Sequence, residues 1–126
     1  EPAAELLPVA AENGVGIIVR VVFDEGALTG KFTKDTSFPE GDFRNNYFAG
    51  DRLQRVVERV EKIRATVGGR EPDLATTALK FALKHPAVST VIAGMRNADQ
   101  AARNCAVGSQ PPMADALERD LRAHAW

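Results

Sequence analysis

Cysteine is almost missing from these 126 residues: Cys105 stands alone. A single cysteine excludes an intrachain disulfide and fits a reducing compartment. By spacing it lies on a helix beside Ala98, Ala101 and Ala102, where a buried structural thiol is expected rather than a reactive one. Long apolar runs are missing too. None approaches the roughly 20 residues of a membrane span. No basic start followed by an apolar core marks a signal peptide. An excess of charge is also lacking, since 16 basic residues face 17 acidic ones and leave a net charge of -1. A general nucleic-acid binder is normally basic, so nucleic acid is not an expected partner. The expectation is a cytoplasmic protein with no membrane and no metal. The chain opens Glu1-Pro2 without an initiating methionine. It is therefore expected to be part of a longer product.

What is present is the composition of one globular domain, 44% hydrophobic and 26% charged. Leu6, Leu7, Val9 and Ala10 suggest a short helix, with Pro8 tolerated only in a first turn or at a kink. Gly14 suits its end. The run from Val15 to Phe23 is apolar and β-branched except at Arg20, and predicts a buried parallel strand. Asp24 to Gly50 shows no sustained period, which makes a long functional or mobile loop. Arg44 there is expected to be a loop anchor, and Asp24-Glu25 a turn. Asp51 looks like an N-cap. Leu53, Val56, Val57, Val60, Ile63 and Val67 follow at spacings of three and four, the stripe of an amphipathic helix whose other face carries Glu58, Glu61 and Lys62. Asp73 is placed to cap the next helix, which carries Leu74, Ala78, Leu79 and Leu83 and stops before Pro86. His85 is most simply a charge at that helix's C-terminal end. Met113, Leu117 and Leu121 space a final helix, with His124 expected in solvent and Trp126 at the end.

The most informative stretch is Val88 to Asn104. Val88 to Ala93 reads as a second buried strand, ending at Gly94. Asn97 is a good N-cap, and a helix is expected from about Ala98 to Val107. A strand that hands over to a helix start presents unpaired amides, which suit phosphate. Arg96 adds a fixed charge and a planar fork of donors at the mouth of that turn. Gln100 and Asn104 are four apart and share one helix face. Gln100 alternatively closes a capping box with Asn97. Two buried strands cannot complete a sheet, so either the chain self-associates or it belongs to a larger α/β protein.

From about Leu6 to Trp126, these residues resemble the C-terminal part of an aldo/keto reductase. The carriers are GVGIIVRV, EGALTGKF, GDFR and LATTALKFALKHPAVSTVIAGMRNADQAARN. The resemblance implies an α/β fold, a partial (β/α)8 TIM barrel. Gly16 to Val22 would be its seventh strand and Val88 to Ala93 its eighth. A full barrel needs on the order of 250 residues, so residues 1–126 would be its C-terminal portion, without the catalytic first half.

It further implies an NADP-dependent oxidoreductase that reduces an aldehyde or ketone by hydride transfer. Gly94, Gln100 and Asn104 fall on the family segment Pro-Gly-x5-Gln-x3-Asn, which holds the adenosine phosphate end of NADP(H). Arg96 and the amides near Asn97 would take the 2′-phosphate. Ala93 replaces the usual Pro, and Arg103 stands where many members have Glu. After strand seven, Val21-Val22-Phe23 replaces a common Ser-Pro-Leu, while Gly26 to Lys31 keeps the family's Gly-x-Leu-Thr-Gly-Lys. Phe23, Gly26, Thr29 and Lys31 would thus lie along the pyrophosphate. The family's catalytic Tyr, Lys, Asp and His come from earlier strands. Tyr47, His85 and His124 match none of them, so no catalytic residue is expected here, and the chain alone should be inactive. Two other classes stay open: a non-catalytic nucleotide-binding module, and a structural fragment that self-associates through unfinished strand edges.

Overall fold

The computed structural model describes residues 2–125. In order they form α1 (Pro2–Glu12), β1 (Ile17–Val19), a 3-10 turn (Asp24–Thr29), α2 (Arg44–Tyr47), α3 (Arg52–Val67), α4 (Leu74–Leu83), β2 (Val88–Val91), α5 (Ala98–Ala106), a 3-10 turn (Val107–Ser109) and α6 (Asp115–Arg122). Trp126 lies outside the described residues. No helix among them is long and apolar enough to cross a membrane.

The two strands pair in parallel, as the helical crossover through α3 and α4 between them allows. Ile17 faces Val88, but Ile18 faces Thr90, so Ser89 is an extra residue bulging from β2. Its hydroxyl accepts from the Ile17 amide at 3.1 Å and replaces the ladder bond the bulge removes. Both strands are shorter than their sequence runs suggest. β1 does not reach from Val15 to Phe23, because Val21 at φ 57° leaves the extended region. β2 ends at Val91, although the Ile92 amide still donates to the Val19 carbonyl at 2.8 Å.

The main core lies among the helices. The stripe on α3 buries Val56, Val60 and Val67, with Leu53 and Ile63 half-buried beside them. They meet Ala27, Leu74, Met113, Leu117 and Leu121. Met113 and Leu117 keep only 1% and 2% of their surface. Glu58, Glu61 and Lys62 face solvent, as their side of the stripe requires. A smaller cluster of Val22, Leu79 and Val107 seats the strand pair on α4 and the second 3-10 turn.

Asp73 caps α4 by accepting from the Thr76 amide at 2.6 Å, and Thr77 Oγ1 donates to the Asp73 carbonyl at 2.8 Å. The second bond satisfies the hydroxyl of the buried Thr77. Asp51 holds the N-cap position of α3, yet its carboxylate caps no amide; it lies 3.2 Å from Arg55 instead.

Four local expectations change. Pro8 sits inside α1 rather than in its first turn. Cys105 is exposed rather than buried, because α5 turns only Gln100, Ala101 and Asn104 toward the body. His124 is half-buried, its Nε2 lying 2.7 Å from Thr66 Oγ1 on α3. His85 lies beyond α4, where its Nδ1 accepts from the Ala87 amide at 3.2 Å and closes the turn through Pro86.

Candidate functional site

The long segment after the first 3-10 turn is ordered by its aromatic residues. Phe32 meets Phe38 and Phe48 edge-on at 5.4 and 5.6 Å, and Phe38 stacks on Phe48 at 5.7 Å. Tyr47 packs edge-on against Phe48 at 4.8 Å and donates to Asp24 Oδ1 at 2.5 Å. That bond, with partial burial, raises the Tyr47 pKa above its ordinary value. Arg44 lies over Phe38 and grips Asp42 with two donors, Nε at 2.9 Å and Nη2 at 2.6 Å. The Arg44 amide also donates to Asp42 Oδ1 at 3.0 Å. Arg44 is the anchor its position suggests, and this segment becomes a fixed wall.

That wall faces a cleft of about 970 Å³, at the upper end of the range for small-molecule sites. A second wall is the turn after β1, with Phe23, Gly26, Thr29 and Lys31. The corner between β2 and α5 closes it with Gly94, Arg96, Gln100 and Asn104. The structure therefore brings eight of the nine expected cofactor residues to one cavity. Asn97 is the exception; it lies beside the cleft and caps α5, accepting from the Gln100 amide at 2.9 Å.

The corner is built locally. Gln100 Oε1 accepts from the Arg96 amide at 2.7 Å. The reciprocal bond of a capping box thus reaches one residue further back than the Asn97 amide. Gln100 Nε2 has no partner among the described residues. Asn104 Nδ2 donates to the Gly94 carbonyl at 3.4 Å and holds the end of the strand to the helix. A Cβ on Gly94 would meet no protein atom within 4 Å, so its bare backbone leaves the corner open. Gly26 differs: at φ 105° it supplies a conformation other residues resist, and a Cβ would lie 3.2 Å from the Phe32 ring. Val21, Asp24 and Glu25 share the left-handed region, so this turn concentrates strain of about 1–3 kcal/mol per residue at the cleft wall.

The cleft favours anions. Arg20, Lys31, Arg44, Arg96 and Arg103 line it against Glu25, Asp42 and Asp73. Asp42 is neutralised by Arg44, and Asp73 is committed to its cap. The Arg44 bonds hold the Asp42 carboxyl down at about 2, and the charge of Arg96 across the cleft adds to the effect. The guanidinium of Arg96 and the ammonium of Lys31 have no hydrogen-bond or ion-pair partner among the described residues. This donor set fits a phosphate-bearing nucleotide: open cations at Arg96 and Lys31, amide donors at a helix start, and a glycine with room before it. Among the described residues, no cluster of His, Cys, Asp or Glu could hold a metal ion.

Sequence reasoning did not single out Phe43 or Asp42 as cleft residues. The GDFR motif was their signal, because two charged residues around an aromatic in a loop can clamp a turn.

Comparisons with known proteins agree with this architecture. The chain is 31% identical over 124 aligned positions to a D-threo-aldose 1-dehydrogenase of a Pseudomonas species, covering 92% of this chain and 35% of the relative. It is 27% identical over 127 aligned positions to the NADH-specific methylglyoxal reductase of Escherichia coli (strain K12), covering 91% and 38%. It is 27% identical over 100 residues to a pyridoxal 4-dehydrogenase of Microbacterium luteolum, covering 79% and 27%. The chain thus spans about a third of the length of these relatives. In fold it matches the glycerol dehydrogenase of Gluconobacter oxydans with a TM-score of 0.78 at 21% identity, over 98% of this chain and 39% of that one. An aldo-keto reductase of Bacillus halodurans in its apo form matches with 0.70 at 24%, over 99% and 39%. The fold is accordingly part of an α/β barrel. With the profile of the Aldo/keto reductase family matching residues 1–119, the chain belongs to that family.

Proposed function

We propose that this chain is the cofactor-gripping C-terminal portion of an NADP-dependent aldo/keto reductase acting on an aldehyde or ketone. The observation that carries the reading is the cleft in which the turn after β1 and the β2–α5 corner converge, with Arg96 and Lys31 unpaired on its walls. NADPH, when bound, supplies the hydride. The chain's own residues bind and orient. Arg96 and the first amides of α5 receive the 2′-phosphate, Gln100 and Asn104 offer amides to adenine and ribose, and Thr29 and Lys31 lie along the pyrophosphate. Gly94 and Gly26 keep the backbone close, and Phe23 covers one side. Asn97 contributes by fixing the helix start. The proton donor and its partners belong to strands outside residues 1–126, so the chain alone reduces no carbonyl. A reducing, cytoplasmic setting suits the free thiol of Cys105.

The relative named as NADH-specific makes the phosphate preference the point to test. Titration calorimetry with NADPH and NADH should show tighter binding of NADPH. Arg96→Ala should weaken NADPH about 10-fold or more and NADH little, the scale of a charge-assisted contact. Equal losses for both cofactors would remove Arg96 from the phosphate. A second reading, an interaction fragment that pairs through its strands, has the exposed Ile18 and Ile92 in its favour. Stable oligomers indifferent to nucleotide would support that reading instead.

A further inference from the structure

Arg20 interrupts an otherwise apolar strand segment, and beyond its charge on the cleft wall no specific contact has been assigned to it. It follows Val19, the last residue of β1. Ile17 and Val19 are half-buried on the face covered by α4, whereas Ile18 and Arg20 point to the opposite face. Thr90 and Ile92 share that open face. Ile18 and Ile92 there keep 62% and 60% of their surface. The bond from the Ile92 amide to the Val19 carbonyl carries the pairing one step past β2 and brings Ile92 beside Arg20. Val21 then turns away at φ 57°. Arg20 is therefore the last side chain on the barrel-interior face of this strand, at its C-terminal mouth. It lines the same cleft as Gly26, Thr29 and Arg96. Among the described residues its guanidinium has no hydrogen-bond or ion-pair partner, Glu25 included.

Arg20 is exposed at the mouth of the cleft, where its charge is free to meet an anionic group that enters. Its height in the barrel favours a ligand over a neighbouring strand, because the C-terminal mouth is where barrels of this type bind what they act on. The nucleotide phosphates already have Arg96 and Lys31. The flanking Ile18 and Ile92 offer an apolar wall to a short carbon chain. We infer that Arg20 anchors an anionic group, carboxylate or phosphate ester, on the carbonyl substrate. The planar fork suits either oxyanion in a bidentate grip. This inference rests on the reductase reading above and narrows its substrate class to carbonyl compounds that carry a negative charge away from the reacting carbon.

The test uses the full-length protein with a matched pair of probes, 4-oxobutanoate and butanal, and NADPH binding followed by fluorescence. The wild type should favour 4-oxobutanoate through a lower KM. Arg20→Leu should lose about 10- to 100-fold in kcat/KM for 4-oxobutanoate, mostly in KM, the range of one charged hydrogen-bonded contact. Butanal turnover and the NADPH Kd should stay within about 2-fold. Arg20→Lys should recover part of the loss. An equal fall for both probes overturns the inference and makes Arg20 a structural residue. A weakened NADPH Kd overturns it in favour of the pyrophosphate. Turnover of neither probe by a wild type that binds NADPH defeats the reductase reading itself, and the inference with it.

Discussion

Asn97, Gln100 and Arg96 illustrate how few residues make the corner. Asn97 accepts from the Gln100 amide, and Gln100 accepts from the Arg96 amide. The first bond satisfies a donor that the helix start would otherwise leave free, and the second ties the residue before the cap back to the helix. Together they fix the backbone of Arg96 while its charged end stays open. The Asp42–Arg44 clamp does the same for the opposite wall. With its carboxyl held near 2 against an ordinary 3.8, Asp42 stays ionised in the fold when an unfolded chain would begin to protonate. The folded value is depressed. The clamp's contribution is therefore complete above about pH 4 and disappears as the pH falls from there toward 2. A carboxyl-carbon NMR titration of Asp42 should give a midpoint near 2, and a midpoint near 3.8 would mean the clamp is open. Tyr47 works in the other direction. Its raised value keeps the hydroxyl protonated past its ordinary 10.0, so the bond to Asp24 contributes fully below 10.0 and that contribution is lost as the pH climbs through the raised value.

Among the elements, α6 closes the helical core against α3 with Leu117 and Leu121. Leu117 is packed against α3 with almost no exposed surface. Leu117→Ala should cost about 2–5 kcal/mol in chemical denaturation, the range for a buried leucine replaced by a cavity. A loss under about 1 kcal/mol would mean that the helix is not docked in solution. The periodic elements were legible in the sequence for physical reasons. The α3 stripe, the Asp73 cap and the Asn97 cap depend on residues within a few positions of one another, so local spacing decides them. The strands were legible in kind but not in length, because where β1 stops depends on Val21, whose conformation belongs to the following turn. The segment from Lys31 to Gly50 has no period to read; its order comes from Phe32, Phe38, Tyr47 and Phe48 meeting across the chain. His124 failed as a surface residue for a similar reason, since its partner Thr66 is 58 positions away. The cleft was legible through a family motif more than through chemistry. Gly94, Gln100 and Asn104 form an unremarkable triplet until the family's spacing joins them.

At the scale of the whole molecule, the helices form a core of their own while the strand pair does not. One face of the sheet is covered by α4. The other leaves Ile18 and Ile92 in the open, and a groove of about 610 Å³ lined by Leu6, Leu7, Val19 and Phe81 runs between α1, β1 and α4. Parallel sheets are normally covered on both faces, so this molecule has the form of a barrel segment. Its length, about a third of its relatives, agrees with that form. The cleft survives in the segment because both of its strand ends and the clamping loop lie within these residues. The most direct measurement is a proton–nitrogen NMR titration of the chain with adenosine 2′,5′-bisphosphate. The largest shifts should fall on the amides of Gly94 to Gln100, with a second set from Gly26 to Lys31. Shifts confined to other surfaces, or none at millimolar ligand, would contradict a phosphate-receiving corner at the start of α5.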